Sequence, residues 1–314
     1  QNLFNKNEYA IKFNKNQLAQ NEFLREDSFN RNLNPNKEIN LLSSRWKDLA
    51  SSKEGLKASA FVFLIDSGKY AELSPNLTLP AASSIKISIL LLLLEMVDKG
   101  EILWNEKLEL TQDLIGGGAG WMAYQQIGTK FPTYELATEM IRVSDNTATN
   151  ILIKRIGGIN QINQKLNRMG LESTQIKNLL PDLEGTNTTS SIDLTKILLI
   201  AESGNKLSIR SRDLFREIMS TSTSNRLLPG GILKGLGESD TNADYKLMIK
   251  GYKIYNKTGD IGIAYSDAGI IQLPDTKRAI AGFMVKGPFN DPRSSLLIKD
   301  MAEAMTKFID PEYK

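Results

Sequence analysis

The chain has 314 residues, a formal net charge of +3, 41% hydrophobic and 24% charged residues, and neither cysteine nor histidine. Such a composition suits one large globular body or two interleaved ones, and the small, scattered positive charge gives no footing for a nucleic-acid partner. The two missing residue types exclude a thiol nucleophile, a disulfide framework, a Ser-His-Asp triad and a His- or Cys-ligated zinc, so acid–base chemistry near neutral pH falls to Lys, Asp, Glu, Tyr or a hydroxyl relay.

Residues 1–38 are rich in Asn, Lys and Gln, with isolated Phe13, Phe23 and Phe29, and read as a loosely packed extension. The chain opens at Gln1, so an export signal is expected to have been removed and the protein to be extracytoplasmic, which the lack of cysteine also suits. Ile39, Leu42, Trp46 and Leu49 recur at helical spacing. The apolar run inside 57–66 predicts a strand, Asp66-Ser67-Gly68 a turn, and 69–73 a second strand.

From Ser83 to about Ile200 the pattern is helical, with segments at 83–99, 133–143, 148–156, 159–169 and 191–202. Gly157-Gly158 and Gly170 punctuate them, and the four glycines of 115–120 predict a loop. The most apolar stretch, Ile87 to Leu94, lies between Lys86 and Glu95, is too short to span a bilayer, and reads as a buried helix. A helix near 211–219 follows, then strands at 252–256, 265–273 and 278–286, with Pro274 to Lys277 as a turn, and a last amphipathic helix at 294–308. The predicted fold is therefore α/β of the α+β kind. An antiparallel sheet is built from both termini (39–80 and 205–314) and flanked by helices, with an all-helical domain (81–204) inserted.

Ser83-Ser84-Ile85-Lys86 places a lysine one turn from a serine, where a neutral amine can take the hydroxyl proton. The spacing alone carries nothing, since Ser44/Lys47 and Ser203/Lys206 share it and read as solvated helix faces. Ser83, however, follows Pro80-Ala81-Ala82 and opens a strongly apolar helix, where free amides and the helix dipole favour developing negative charge. On these residues alone, a helix cap explains Ser83 as well as a nucleophile does. Ser144-Asp145-Asn146, between two helices, and Lys257-Thr258-Gly259, ending a strand, tip the balance, and Gly259 allows close backbone approach to a ligand.

Taken together, Ser83-x-x-Lys86, Ser144-Asp145-Asn146 and Lys257-Thr258-Gly259 resemble the three signatures of class A β-lactamases and penicillin-binding proteins. The stretch Met140 to Asn150, then Ile156-Gly157-Gly158, resembles the class A family, and the similarity runs from about Ile39 to the C-terminus. The resemblance implies the serine β-lactamase/transpeptidase fold, acylation of Ser83, and Lys86 as base or proton relay. It also implies Ser144 as proton donor to the leaving nitrogen, Asn146 on the substrate's amide side chain, and Lys257 and Thr258 on its carboxylate. The N–H groups of Ser83 and Asp260 would form the oxyanion hole, beside Gly259, and Asp145 would hold its own turn. The implied substrate is a small molecule, a β-lactam or a cell-wall acyl-peptide, handled by a monomer without metal or cofactor.

Two positions depart from the pattern. Class A enzymes activate the deacylating water with a glutamate in a stretch like Glu-Pro-x-Leu-Asn, and here Leu180-Pro181-Asp182-Leu183-Glu184 stands in its place. Glu184 either reaches the same water from its shifted position or is a loop ion-pair residue, in which case the acyl-enzyme persists. Asp260 adds a carboxylate that repels a substrate carboxylate unless it points away. Trp121 and Tyr124 either wall the entrance or belong to the core. Three activities are compatible with these residues: a β-lactam hydrolase, a D-alanyl-D-alanine carboxypeptidase or transpeptidase, and a relative that keeps the fold without turnover.

Overall fold

The computed structural model describes residues 35–224, 226–239 and 241–310. The extension expected at the N-terminus lies outside them up to residue 34. The chain enters through a two-residue strand, β1 (Lys37–Glu38), and helix α1 (Asn40–Ser51), followed by β2 (Lys57–Leu64), β3 (Lys69–Leu73) and β4 (Leu79–Pro80). Next come α2 (Lys86–Asp98), β5 (Lys107–Glu109), β6 (Lys130–Pro132), α3 (Thr133–Arg142), α4 (Asn146–Arg155), α5 (Gly158–Arg168), β7 (Thr188–Thr189) and α6 (Ser191–Ser203). The last stretch holds α7 (Ile209–Ser220), α8 (Leu228–Gly235), α9 (Ala243–Ile249), β8 (Lys253–Asp260), β9 (Ala264–Gln272), β10 (Arg278–Lys286) and α10 (Pro292–Ile309).

Six strands make the main sheet in the order β1-β3-β2-β10-β9-β8. The expectation that both ends of the chain build one sheet is met at its centre, where β2 pairs antiparallel with β10 from Lys57↔Lys286 to Leu64↔Ala279. All pairings in this sheet are antiparallel except β1 with β3, so Lys37 and Glu38 belong to the sheet rather than to a loose extension. One face is covered by α1, α8 and α10, and Trp46, Ile232, Phe283, Leu297 and Met301 meet in its core. The indole of Trp46 donates to the Met301 carbonyl at 2.8 Å and packs edge-on against Phe283 with ring centres 5.6 Å apart. The apolar run 87–94 is buried on all sides within α2, which is why it lacks an amphipathic period.

Three local readings need correction. The helix expected from Ser83 does not begin there: Ala82–Ile85 is a single 3-10 turn, and α2 starts at Lys86. Ala82 enters the turn with φ +49, a left-handed conformation that a non-glycine residue adopts at a cost of about 1–3 kcal/mol. Helix α8 has a sequence, Leu-Pro-Gly-Gly-Ile-Leu-Lys-Gly, that looks like a loop. Its glycines serve packing, since a Cβ on Gly231 would lie 2.6 Å from the Ala302 Cβ and one on Gly235 2.6 Å from the Thr306 Cβ. Close contact of α8 with α10 thus offsets the poor helix propensity, and Pro229 sits in the first turn, where it is tolerated. The short helix α9 was also missed, because Tyr245, Met248 and Ile249 face solvent and break the amphipathic pattern.

Candidate active site

Three elements bring the motifs together: the 3-10 turn with the start of α2, the turn between α3 and α4, and the end of β8. Lys86 is fully buried, and its ammonium lies 3.2 Å from Ser83 Oγ, 2.6 Å from the Ser144 carbonyl, 2.9 Å from Ser144 Oγ and 2.9 Å from Asn146 Oδ1. Loss of water holds its pKa well below the usual lysine range, and the Lys257 charge pushes it the same way, against the pull of Asp145. A lysine so placed gives up its proton readily and can then accept one from the serine hydroxyl. Ser83 itself is half-buried, so its hydroxyl is open to a ligand while the Lys86 amine is sealed.

Ser144 reaches Lys86 because its backbone is left-handed, at φ +60, which turns its carbonyl and hydroxyl to the same amine. Asp145 holds that turn. Its Oδ1 caps α4 by accepting from Ala148 N at 2.8 Å, and Oδ2 accepts from the N–H groups of Trp121 and Met122 at 2.7 and 2.9 Å. Gly120 must be glycine here, because a Cβ would run into the Asp145 carboxylate. Asn146 spans the gap, with Oδ1 on Lys86 and Nδ2 donating to the Gly117 carbonyl at 2.8 Å. Trp121 is partly buried and donates its ring N–H to Glu139 at 2.7 Å, whereas Tyr124 is 84% exposed.

On β8, Lys257 is buried and donates to the Thr258 carbonyl at 2.8 Å; burial holds its pKa down to about 8 against the pull of Asp267. It meets the Ser83 cluster through its field on Lys86 rather than through a hydrogen bond. Gly259 explains how the strand and the serine approach: a Cβ there would sit 2.8 Å from Ser83 N. Asp260 is exposed and accepts from Gly262 N at 2.8 Å, so its carboxylate is turned into its own loop. The Thr258 hydroxyl donates inward, to Asp267 Oδ2 at 3.2 Å or the Ser224 carbonyl at 3.3 Å.

The loop carrying Leu180 is bonded to α4. Leu180 is buried, and Asn150, one turn beyond Asn146 on α4, clamps its backbone on both sides. Asn150 Oδ1 accepts from Leu180 N at 2.8 Å while Nδ2 donates to its carbonyl at 2.7 Å. This is a role that motif spacing did not single out, although Asn150 closes the stretch that begins with Ser144-Asp145-Asn146. Glu184 is exposed, and among the described residues no direct hydrogen bond joins it to Ser83, Lys86, Ser144 or Asn150. The carboxylate that is buried in this loop is Asp182, and it is spent on the loop itself, accepting from Thr186 Oγ1 and Asn187 N.

A family model described as Beta-lactamase enzyme family matches residues 41–309. The chain belongs to that family. Among curated proteins, β-lactamase BRO-1 of Moraxella catarrhalis is 28% identical over 222 residues, which is 68% of this chain but 64%, less than two thirds, of that protein. The extended-spectrum β-lactamase PER-1 of Pseudomonas aeruginosa is 26% identical, covering 75% of this chain and 77% of its own. Among solved structures, one described as PBP-A is 39% identical with a TM-score of 0.81, covering 87% of this chain and 97% of that one. A second, a point mutant of PBP-A in an acyl-enzyme complex with penicillin-G, is 38% identical at a TM-score of 0.80, covering 87% of this chain and 98% of that one. The fold of the chain follows from these matches.

Proposed function

We propose that this chain is a class A-type serine enzyme that opens β-lactam amides by acylation of Ser83, and that its acyl-enzyme is long-lived. The observation that carries the first half is the fully buried Lys86 amine within 3.2 Å of Ser83 Oγ and 2.9 Å of Ser144 Oγ. Neutral Lys86 takes the Ser83 proton as Oγ attacks the carbonyl carbon. The N–H groups of Ser83 and Asp260 hold the oxyanion, a contribution of about 3 kcal/mol per donor. As the C–N bond breaks, Ser144 passes a proton to the leaving nitrogen and recovers one from Lys86. Asn146 holds the amide side chain, and Lys257 and Thr258 the carboxylate, next to Gly259.

The second half rests on Leu180. The class A resemblance puts Leu180 where a carboxylate would activate water; Leu180 is buried and Glu184 faces solvent. The same observation favours a second reading, a carboxypeptidase or transpeptidase acting on an acyl-D-alanyl-D-alanine peptide by the same acylation. A monomer outside the cytoplasmic membrane suits both substrates, and no helix of the described residues is long and apolar enough to cross a membrane. The test is mass spectrometry over time with a penicillin. The expected result is a slowly decaying adduct on Ser83, absent in Ser83→Ala; an adduct located elsewhere would falsify the assignment.

A further inference from the structure

A buried carboxylate outside the three motifs touches one of their residues. Asp267 stands directly opposite Thr258 in the β8–β9 register and is wholly buried. Its Oδ2 accepts from Leu228 N at 2.9 Å and from Thr258 Oγ1 at 3.2 Å, and its Oδ1 accepts from Asn256 Nδ2 at 2.9 Å. The other neighbour of the Thr258 hydroxyl, the Ser224 carbonyl, is also an acceptor. A hydroxyl has a single proton. With acceptors on both inner sides, Thr258 turns its proton inward and shows lone pairs to the substrate side, and an incoming carboxylate finds an acceptor where it needs a donor.

Resting on the reading of Ser83 as the acylated residue, we propose that Asp267 is a positioning and specificity residue: its protonation state decides whether Thr258 can donate to a substrate carboxylate. When Asp267 carries a proton, its own O–H can donate to Thr258 Oγ1, and the threonine proton, left with only the neutral Ser224 carbonyl at 3.3 Å inside, can turn to an anionic substrate carboxylate. When Asp267 is ionised, recognition of the carboxylate falls to Lys257. The charged group whose field reaches Asp267 is Lys257 on β8. Elsewhere around it, β10 places Phe283 in register and the start of α8 supplies the Leu228 N–H. Arg216 of α7, which also packs on β8, is paired with Glu202 and Asp213, and Arg226 is exposed. Burial pushes the Asp267 carboxyl up to about 6, so the switch falls in a range that can be sampled without denaturing the protein.

The experiment compares benzylpenicillin with its methyl ester, which lacks the anionic carboxylate, as acylating agents between pH 5.0 and 7.0. The readout is the ratio of their second-order rate constants for the Ser83 adduct, in the wild type and in Asp267→Asn. In the wild type the acid-to-ester ratio should rise about tenfold as pH falls through 6, the value of one hydrogen bond to a charged group. In Asp267→Asn, whose amide can donate to Thr258 at any pH, the ratio should be high already at pH 7.0 and flat. A residue serving only the fold would lower both rate constants together and leave the ratio unmoved. Should the variant fail to fold, the wild-type profile decides, and a ratio independent of pH overturns the proposal. No Ser83 adduct with either compound overturns the acylation reading as well, whereas an adduct with a flat ratio overturns this inference alone.

Discussion

A lysine amine sealed from water and within the field of a second lysine holds its proton loosely, which is what the base role proposed for Lys86 requires. On the same proposal, Leu180 limits how fast an acylated Ser83 is freed. A carboxylate introduced at this buried position would have its pKa raised by desolvation towards neutrality, which suits a general base, and its backbone would be held by the clamp of Asn150. Leu180→Glu is therefore expected to shorten the adduct lifetime about 100-fold or more, while Glu184→Gln should leave it unchanged; the decay of the Ser83 adduct reads both. Asp267 has a stability consequence independent of its effect on Thr258. Its native pKa, pushed up to about 6, lies above the ordinary aspartate value near 3.9, so between the two the native state binds more protons than the unfolded chain and stability falls as pH rises. Relative to wild type, Asp267→Asn should gain on the order of 2 kcal/mol between pH 4 and pH 7 in urea unfolding; a pH-independent difference would show that Asp267 does not titrate there.

Elements place these residues, and here the sequence was legible to different depths. Ser83, Lys86, Ser144, Asp145, Asn146 and Lys257 could be found because short spacing on one turn encodes proximity, and three such spacings together are hard to obtain by chance. The partners that tune them were hidden, because Asn150 meets Leu180 across 30 residues and Thr258 meets Asp267 through sheet register, neither of which any local pattern records. The strands β3 and β10 were legible to the residue from alternation and turn chemistry, whereas α8 was not, since glycines that serve a close helix contact look like breakers. The turn into α2 was misread for a related reason: the strained Ala82 has no signature in sequence. Between elements, Asn150→Ala leaves the Leu180 N–H and carbonyl without partners, and should cost about 2 kcal/mol by thermal or urea unfolding and loosen the loop over the site. An unchanged midpoint would mean that the loop is held by Asp182 and Asn187 alone.

For the whole molecule, one side chain adds to the sheet pairing that joins early and late elements. Trp46 on α1 is wholly buried, bonded to Met301 on α10 and packed on Phe283 of β10. Trp46→Ala is expected to cost about 3–5 kcal/mol, which calorimetry would report as a large drop in Tm, while acylation measured well below that Tm stays near wild type. The strand order carries a further consequence. The middle of the sheet is filled by β10, the last strand to be made, and β2, formed near the start, has to wait more than 200 residues for its partner. During synthesis the early hairpin and the apolar helix α2 leave the ribosome before that edge can be covered. Completion of this sheet thus waits for the β10 segment, and the interval before it arrives is when the newborn chain most needs protection from aggregation.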